Sequence, residues 1–455
     1  MKPREAEDIS RVLTYSPPKS NPESQCVQGK KEAEEIIFKE RTGTGNMKDM
    51  QLFDGGVTQP QGFYAAGICA GIKKDRKDMA MLYSKKPCTL AGTFTSNLVK
   101  ASPVVWDQDI VRRYGSAQAC VMNSGVANAC TGEQGDAYCR ETAQAAAQAL
   151  GLKEEQVLLA STGVIGRQLP IDKICDGARQ LAGMLSDTRQ AACAATEAIM
   201  TTDTRRKEIA VSFELSGKTI TIGGMTKGAG MIHPNMGTML CFLTSDAAIS
   251  AKMAQKALLS CVQDSFNMIS VDGDESTNDT CVLLSNALAG NPEITEENED
   301  YEIFRNALAM VTKNLARRMA ADGEGAHALF EVKVIGASTK EKAVRIAKSV
   351  IESSLVKTAI AGHDANWGRI ICAMGYSGAS FDTRRVNLTF ESSAGSVKIA
   401  ENSVSTGYSE EFATRILSQD EITAIIDIQE GNEEATAWGC DLTYEYVSIN
   451  ADYRS

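Results

Sequence analysis

Helix-like and strand-like patterns interleave along the 455 residues of this chain, which predicts a mixed fold class with both element types sharing a core. Two observations carry that reading. Some stretches combine a one-sided apolar face with end-capping residues, as helices do, while others alternate apolar and polar residues, as half-buried strands do. No period of 20–50 residues recurs, so a solenoid is excluded. The length suits two or more domains, or one large layered domain, around a substantial core.

The elements follow in chain order. Residues 1–46 are polar, with a Pro17-Pro18 step and the mixed-charge run "KKEAEEIIFKER", and read as a disordered leader outside the folded body. From "GGVTQPQGFYAAGICAGIKK" onward, glycine-rich sequence with short apolar runs suits strands joined by turns. "DAYCRETAQAAAQALG" (136–151) predicts a helix opening on an Asp136 cap and closing on Gly151. "KTITIGG" (218–224) alternates as a strand, and Met239–Leu243 form a short apolar run that reads as a buried one. "EVKVIGA" (331–337) is a further strand. It leads into "STKEKAVRIAKSVIESSL", where Ser338 and Glu341 stand at capping-box spacing and Ala343, Ile346, Ala347, Val350 and Ile351 share one face. "RVNLTF" (385–390) and "DLTYEYVSIN" (441–450) complete the set of predicted strands.

Composition narrows the function. A net charge of −11 argues against a protein that wraps a nucleic-acid backbone, although anionic small substrates respond only to local charge. Thirteen cysteines lie singly, without a CxxC pair, and read as buried small hydrophobes in a reducing compartment. Three histidines, His233, His327 and His363, are too dispersed for a metal site. No run approaches the ~20 apolar residues that span a bilayer, and the charged N-terminus lacks the apolar region of a signal peptide. The expected location is cytoplasmic, with neither membrane nor nucleic-acid partners.

Familiar motifs fail on inspection. "SGKT" (216–219) has Ser212 where a phosphate-binding loop needs glycine. "DGDESTND" (272–279) has Thr277 where a calcium loop needs its turning glycine, and reads as a solvated turn or the lining of a polar pocket. "GYSGAS" (375–380) puts Ala379 where a nucleophile elbow needs glycine. His233 lacks triad spacing to any serine.

What remains is "KGAGMIHPNMGTMLCFLTSD" (227–246), where glycine-punctuated sequence meets an apolar run at Gly237-Thr238. A threonine hydroxyl is a poor nucleophile until a neighbouring base takes its proton, and a free α-amine titrating near 7.7–8.0 can serve. For an internal threonine, the preceding peptide bond must first open. Gly237, without a Cβ, permits the strained backbone that lets the Thr238 hydroxyl reach the preceding carbonyl. The plain alternative is an ordinary turn entering a core strand.

"GGMTKGAGMIHPNMGTMLCFLTSD" resembles the self-cleaving region of the ornithine acetyltransferase family, the bifunctional glutamate N-acetyltransferase and amino-acid acetyltransferase proteins of arginine biosynthesis. The likeness covers nearly the whole body, with blocks in order at "GGVTQPQGFYAAGICAGIKK", "GTFTSNLVKASPVVW", "VMNSGVANACTG", "STGVIG", "AIMTTDT", "DGDESTNDT", "DGEGAH", "HDANWGRIICAMGYSGAS" and "VSINADYRS". It leaves out only residues 1 to about 46.

The resemblance implies an α+β fold, a layered αββα-type sandwich with N-terminal-nucleophile-like chemistry. It implies cleavage between Gly237 and Thr238 into an α-chain, 47–237 after the leader, and a β-chain, 238–455, assembled as α2β2. Thr238 becomes the acyl-accepting nucleophile, and Thr162 and Gly163 stabilise the oxyanion. Substrate contacts map to Thr201, Lys227, Thr238, Glu324, Asn450 and Ser455. Gly237 stands where alanine is usual, Ser455 where threonine is usual, and His327-Ala328 where threonine-lysine is common. The implied reaction moves acetyl from N2-acetyl-ornithine to glutamate through an acetyl-threonine, with no cofactor and with acetyl-CoA as a further acetyl donor in bifunctional members. Taken without the resemblance, Lys227 is a solvated loop charge, Glu324 a turn carboxylate, Thr201 a helix cap, and Asn450 and Ser455 part of a frayed tail. Two other functions fit the same scaffold: a self-cleaved aminopeptidase or amidase, and an uncleaved binding protein without catalysis.

Overall fold

The chain divides into residues 1–46 and residues 47–455. The computed structural model describes residues 50–233 and 239–452, all within the second part, so the leader expected at 1–46 lies outside the described residues. The strands are β1 Gln51–Phe53, β2 Phe63–Ile68, β3 Met79–Phe94, β4 Ser116–Val126 and β5 Val157–Val164. There follow β6 Lys207–Leu215, β7 Lys218–Lys227, β8 Leu240–Ser245, β9 Thr280–Ser285 and β10 Leu329–Ala337. The last are β11 Asn387–Ser392, β12 Gly395–Glu401, β13 Val404–Ser405, β14 Glu421–Asp427 and β15 Glu433–Cys440.

The larger sheet runs β1-β6-β7-β8-β9-β3-β4-β5, with β2 paired to β3 off that path. Its joint is β3. Residues Met79–Tyr83 pair with β2 and β4, whereas Thr89–Phe94 pair with β9, and the β4 register shifts between Tyr83 and Cys88. Such an irregularity bends and twists a strand, so the sheet folds over itself there. One core then lies between its halves, holding Ala80, Leu82, Met122 and Leu158 with Met225, Leu240, Phe242 and Val282.

Side chains alternate along a strand, so the outer faces must also be covered. Met79, Met81, Val121 and Leu159 meet helices Gly132–Leu150 and Ile171–Ala182. Cys241, Leu243, Cys281 and Leu283 meet helices Ala251–Gln263 and Glu299–Ala321. The result is helix, sheet, sheet, helix: the layered α+β arrangement expected. A second sheet, ordered β13-β12-β11-β14-β10-β15, shares the core of helix Glu299–Ala321 and is covered by helix Lys340–Glu352.

Most expected elements are present, with informative shifts. Helix Gly132–Leu150 starts after Thr131, not at Asp136, because its first turn is already helical at Gly132; it does end on Gly151 in the left-handed conformation at φ 70°. Helix Lys340–Glu352 is capped by Thr339, whose side chain accepts from the Lys342 N–H, so Ser338 is one residue outside the cap; its five expected core residues are all buried. Residues 441–450 do not form a strand. Thr443 caps helix Tyr444–Ala451, and the helical spacing sets Tyr446 on Asp272 at 3.3 Å and Asn450 on Glu324 at 2.7 Å. Those tertiary bonds override the strand preference of Tyr and Val. The "SGKT" run is a two-residue hairpin between β6 and β7, with Ser216 and Gly217 at φ 50° and 73°, the geometry that matches strand twist. Cys69, Cys130 and Cys372 are exposed, contrary to the expectation of burial, because they sit on loops or on an outward helix face. Among the described residues no helix is long and apolar enough to cross a membrane.

Candidate active site

Strand ends from both halves of the folded sheet converge on one region. Thr162 and Gly163 close β5, while Lys227 closes β7. Leu240, two residues after Thr238 in sequence, is the antiparallel partner of Lys227, and Thr280 at the head of β9 is the parallel partner of Leu240. The halves are tied together by Asn278, whose side-chain amide donates to Ala127 O at 2.6 Å and Ser161 O at 2.8 Å. Predicted residues Gly237, Thr238 and Ser455 lie outside the described residues.

Lys227 is the centre of what is described. It is buried, and its Nζ donates to Thr162 Oγ1 and to Thr201 Oγ1, both at 3.1 Å. Residues 65 and 26 positions away in sequence are thereby brought onto one ammonium. The solvated-loop reading of Lys227 is therefore corrected: it is the buried last residue of a strand. Thr201 caps no helix either; it follows helix Arg189–Ile199 and donates its N–H to Asp203 Oδ2 at 3.0 Å.

Burial lowers the Lys227 pKa below the ordinary lysine value; Asp203, Asp279 and Glu324 oppose that shift, while Lys207 adds to it. Asp203 also accepts from the Gly228 N–H at 2.7 Å and from Lys207 Nζ at 2.7 Å. Burial alone would raise the Asp203 carboxyl, but Lys207 and Lys227 hold it well below the usual carboxylate range. Lys207 reaches Asp322 as well, at 2.5 Å, and Asp322 accepts from the Thr204 hydroxyl. Asp203, Lys207 and Asp322 were missed by the sequence reading. Asp203 and Asp322 lie inside the blocks "AIMTTDT" and "DGEGAH", Asp203 four residues after helix Arg189–Ile199 and Asp322 immediately after helix Glu299–Ala321; Lys207 carried no such signal.

Beyond Gly228 the chain turns toward Glu324. A Cβ on Gly230 would lie 2.3 Å from the Glu324 carboxyl, so the glycine is what lets that side chain pass. Glu324 is buried and accepts from Asn450 Nδ2 at 2.7 Å, which also removes Asn450 from the frayed-tail reading. His327 stands 3.4 Å from Glu445 on the exposed side. Asp279 is buried, its Oδ2 lacks a hydrogen-bond partner among the described residues, and burial raises its carboxyl well above the usual range. Among the described residues no cluster of three or more His, Cys, Asp or Glu is placed to hold a metal.

Chemically, the Thr162 hydroxyl accepts from an ammonium, which frees its own proton to donate to a ligand oxygen. Gly163 sits at φ 128° with its Cα against Gly125, where an added Cβ would come within 2.3 Å of the Gly125 carbonyl carbon. Strain and clash together predict that Gly163→Ala loses about 2–4 kcal/mol of stability, checked by denaturant unfolding. An unchanged midpoint would mean that the two backbones are free to separate.

The model of the ArgJ family matches residues 64–455. This chain belongs to the ArgJ family. The arginine biosynthesis bifunctional protein ArgJ of Symbiobacterium thermophilum is 50% identical over 409 residues, covering 89% of this chain and 100% of that protein. Its namesake from Caldanaerobacter subterraneus subsp. tengcongensis is 47% identical over 406 residues, covering 89% and 100%. Among solved structures, ornithine acetyltransferase complexed with ornithine from Mycobacterium tuberculosis aligns at 39% identity and a TM-score of 0.39, covering 41% of this chain and 98% of that one. The ArgJ match extends across both the Thr162–Lys227 cluster and the Glu324–Asn450 pair.

Proposed function

We propose that this chain is a self-processing acetyltransferase that moves acetyl from N2-acetyl-ornithine to glutamate. The observation that carries the reading is the single ammonium of Lys227 held by both Thr162 and Thr201, one strand pairing away from the segment entering β8. Cleavage after Gly237 gives an α-chain ending at 237 and a β-chain starting at 238, assembled as α2β2 in the cytoplasm. Thr238 Oγ attacks the acetyl carbonyl carbon, and the new α-amine takes the hydroxyl proton. The negative oxygen is stabilised by donors from Thr162 and Gly163. As the C–N bond breaks, the α-ammonium returns its proton to the departing ornithine nitrogen, leaving an acetyl ester on Thr238. The glutamate amine attacks that ester, its proton passes to the α-amine and on to Thr238 Oγ, and N-acetyl-glutamate departs. Neither metal nor cofactor takes part; acetyl-CoA is a second donor to the same threonine.

The test is an assay of the purified protein with N2-acetyl-ornithine plus glutamate, repeated with acetyl-CoA plus glutamate. Ornithine and N-acetyl-glutamate should appear in equal amounts, with the parallel double-reciprocal lines of a two-step exchange. Acetate released without dependence on glutamate would instead identify a hydrolase. An inactive protein showing one full-length mass would identify a binding protein.

A further inference from the structure

Lys73 belongs to no part of the machinery described so far, yet the loop that carries it is built with unusual care. Between β2 and β3, the buried Asp78 carboxylate accepts from the Ala70 N–H at 2.6 Å, the Ile72 N–H at 2.6 Å and the Lys73 N–H at 2.9 Å. The Asp78 carbonyl accepts from the Ser124 N–H at 2.8 Å, tying the same loop to β4. The backbone at Lys73 is thus fixed, and its stem crosses Gly125: a Cβ there would lie 3.1 Å from Lys73 Cγ. Gly125 in turn is the register partner of Gly163 on the neighbouring strand, so the Lys73 stem lies over the strand beside Gly163. At its tip, Lys73 Nζ donates to the Met200 carbonyl at 2.9 Å. Met200 immediately precedes Thr201, whose hydroxyl accepts from Lys227. Two ammonium groups therefore flank one dipeptide, and Lys73 uses one of its three donors there.

Resting on the acetyl-transfer reading above, we infer that Lys73 binds the α-carboxylate common to N2-acetyl-ornithine and glutamate. The α-carboxylate is bonded to the same carbon as the nitrogen that gives up or receives the acetyl group. When that acetyl oxygen is held at Thr162 and Gly163, the carboxylate lies within a few bonds of it, and Lys73 lies over β4, the strand paired to those two residues. One cation then serves both halves of the exchange, while Glu324 and Asn450, reached through Gly228–Gly230, remain for the side chains by which the two substrates differ.

The electrostatics agree. Burial pushes the Lys73 ammonium down to about 8; Arg76 and Lys227 add to that shift, and Asp78 and Asp203 oppose it. A half-buried cation beside two like charges is the arrangement that an arriving anion relieves. The ammonium is charged below pH 8 and neutral above it, so carboxylate recognition should weaken as pH rises through about 8.

The probe is N-acetyl-putrescine, which is N2-acetyl-ornithine without its carboxylate. With the wild-type protein, kcat/KM should favour N2-acetyl-ornithine by ~10- to 100-fold near pH 7, the range expected for one charge-assisted hydrogen bond. That preference should shrink between pH 7 and 9.5 without any substitution. In Lys73→Met the preference should fall toward unity and KM for glutamate should rise by a similar factor, while kcat with N-acetyl-putrescine stays close to wild type; Lys73→Arg should keep the preference. A wild-type preference that does not change with pH, or a Lys73→Met variant that slows both donors equally, overturns the assignment. These outcomes differ from failure of the functional reading itself, in which the wild type would transfer acetyl from neither donor.

Discussion

A Thr238→Ala chain should remain one full-length polypeptide and should transfer acetyl at least ~10⁴-fold more slowly than the wild type, the scale of loss when a catalytic nucleophile is removed. Two steps depend on the same oxygen. Without Oγ there is no attack on the Gly237 carbonyl, so no α-amine is released; without the hydroxyl there is nothing to carry the acetyl group. Thr238→Ser separates the steps from steric effects, because it keeps the oxygen and should still cleave. Intact-mass measurement reads the first step and ornithine release reads the second. A Thr238→Ala protein that arrives as two chains, or one that still exchanges acetyl, would sink the mechanism.

Lys227→Met is expected to lower kcat/KM by ~10²- to 10³-fold, comparable to loss of an oxyanion donor. The substitution leaves the Thr162 and Thr201 hydroxyls without the ammonium they share, so the Thr162 proton is no longer directed. Asp203 keeps Lys207 at 2.7 Å and the Gly228 N–H at 2.7 Å, so the local fold retains its buried ion pair. The pH profile gives an independent readout. Burial lowers the Lys227 pKa, and deprotonation removes the positive charge that polarises both threonine hydroxyls, so wild-type activity should fall on the alkaline side below the usual lysine range. Lys227→Met should lack that limb. Near-normal kcat/KM in this variant would remove Lys227 from the reaction.

The layered fold could be read from the chain because strand alternation and helix faces are local properties: Ala343, Ile346 and Val350 needed only their spacing to declare a buried face. Residues 441–450 misled for the opposite reason. Their aromatic alternation suited a strand, but the Thr443 cap and the contacts of Tyr446 and Asn450 with Asp272 and Glu324 favour a helix, and those partners are more than a hundred residues away. The site divides the same way. Thr162 and Thr201 lay in recognisable blocks, whereas the burial of Lys227 and its sharing between the two hydroxyls follow from how β5 and β7 meet. The ion pairs of Lys207 with Asp203 and Asp322 were invisible for the same reason, since a lysine in a strand gives no local sign that two carboxylates await it.

The order of strands in the larger sheet has a consequence for any pair of chains produced by scission after residue 237. β8 and β9 would belong to the second product, yet they lie between β7 and β3, both of the first. The first product would be a comb missing its central teeth, which the second supplies, with Lys227 bonded to Leu240 on one flank of the gap and Thr89–Phe94 bonded to β9 on the other. Such halves cannot be pulled apart without opening the middle of a sheet. Two polypeptides made from separate messages should therefore fail to recreate what a single precursor makes by folding first and breaking afterwards.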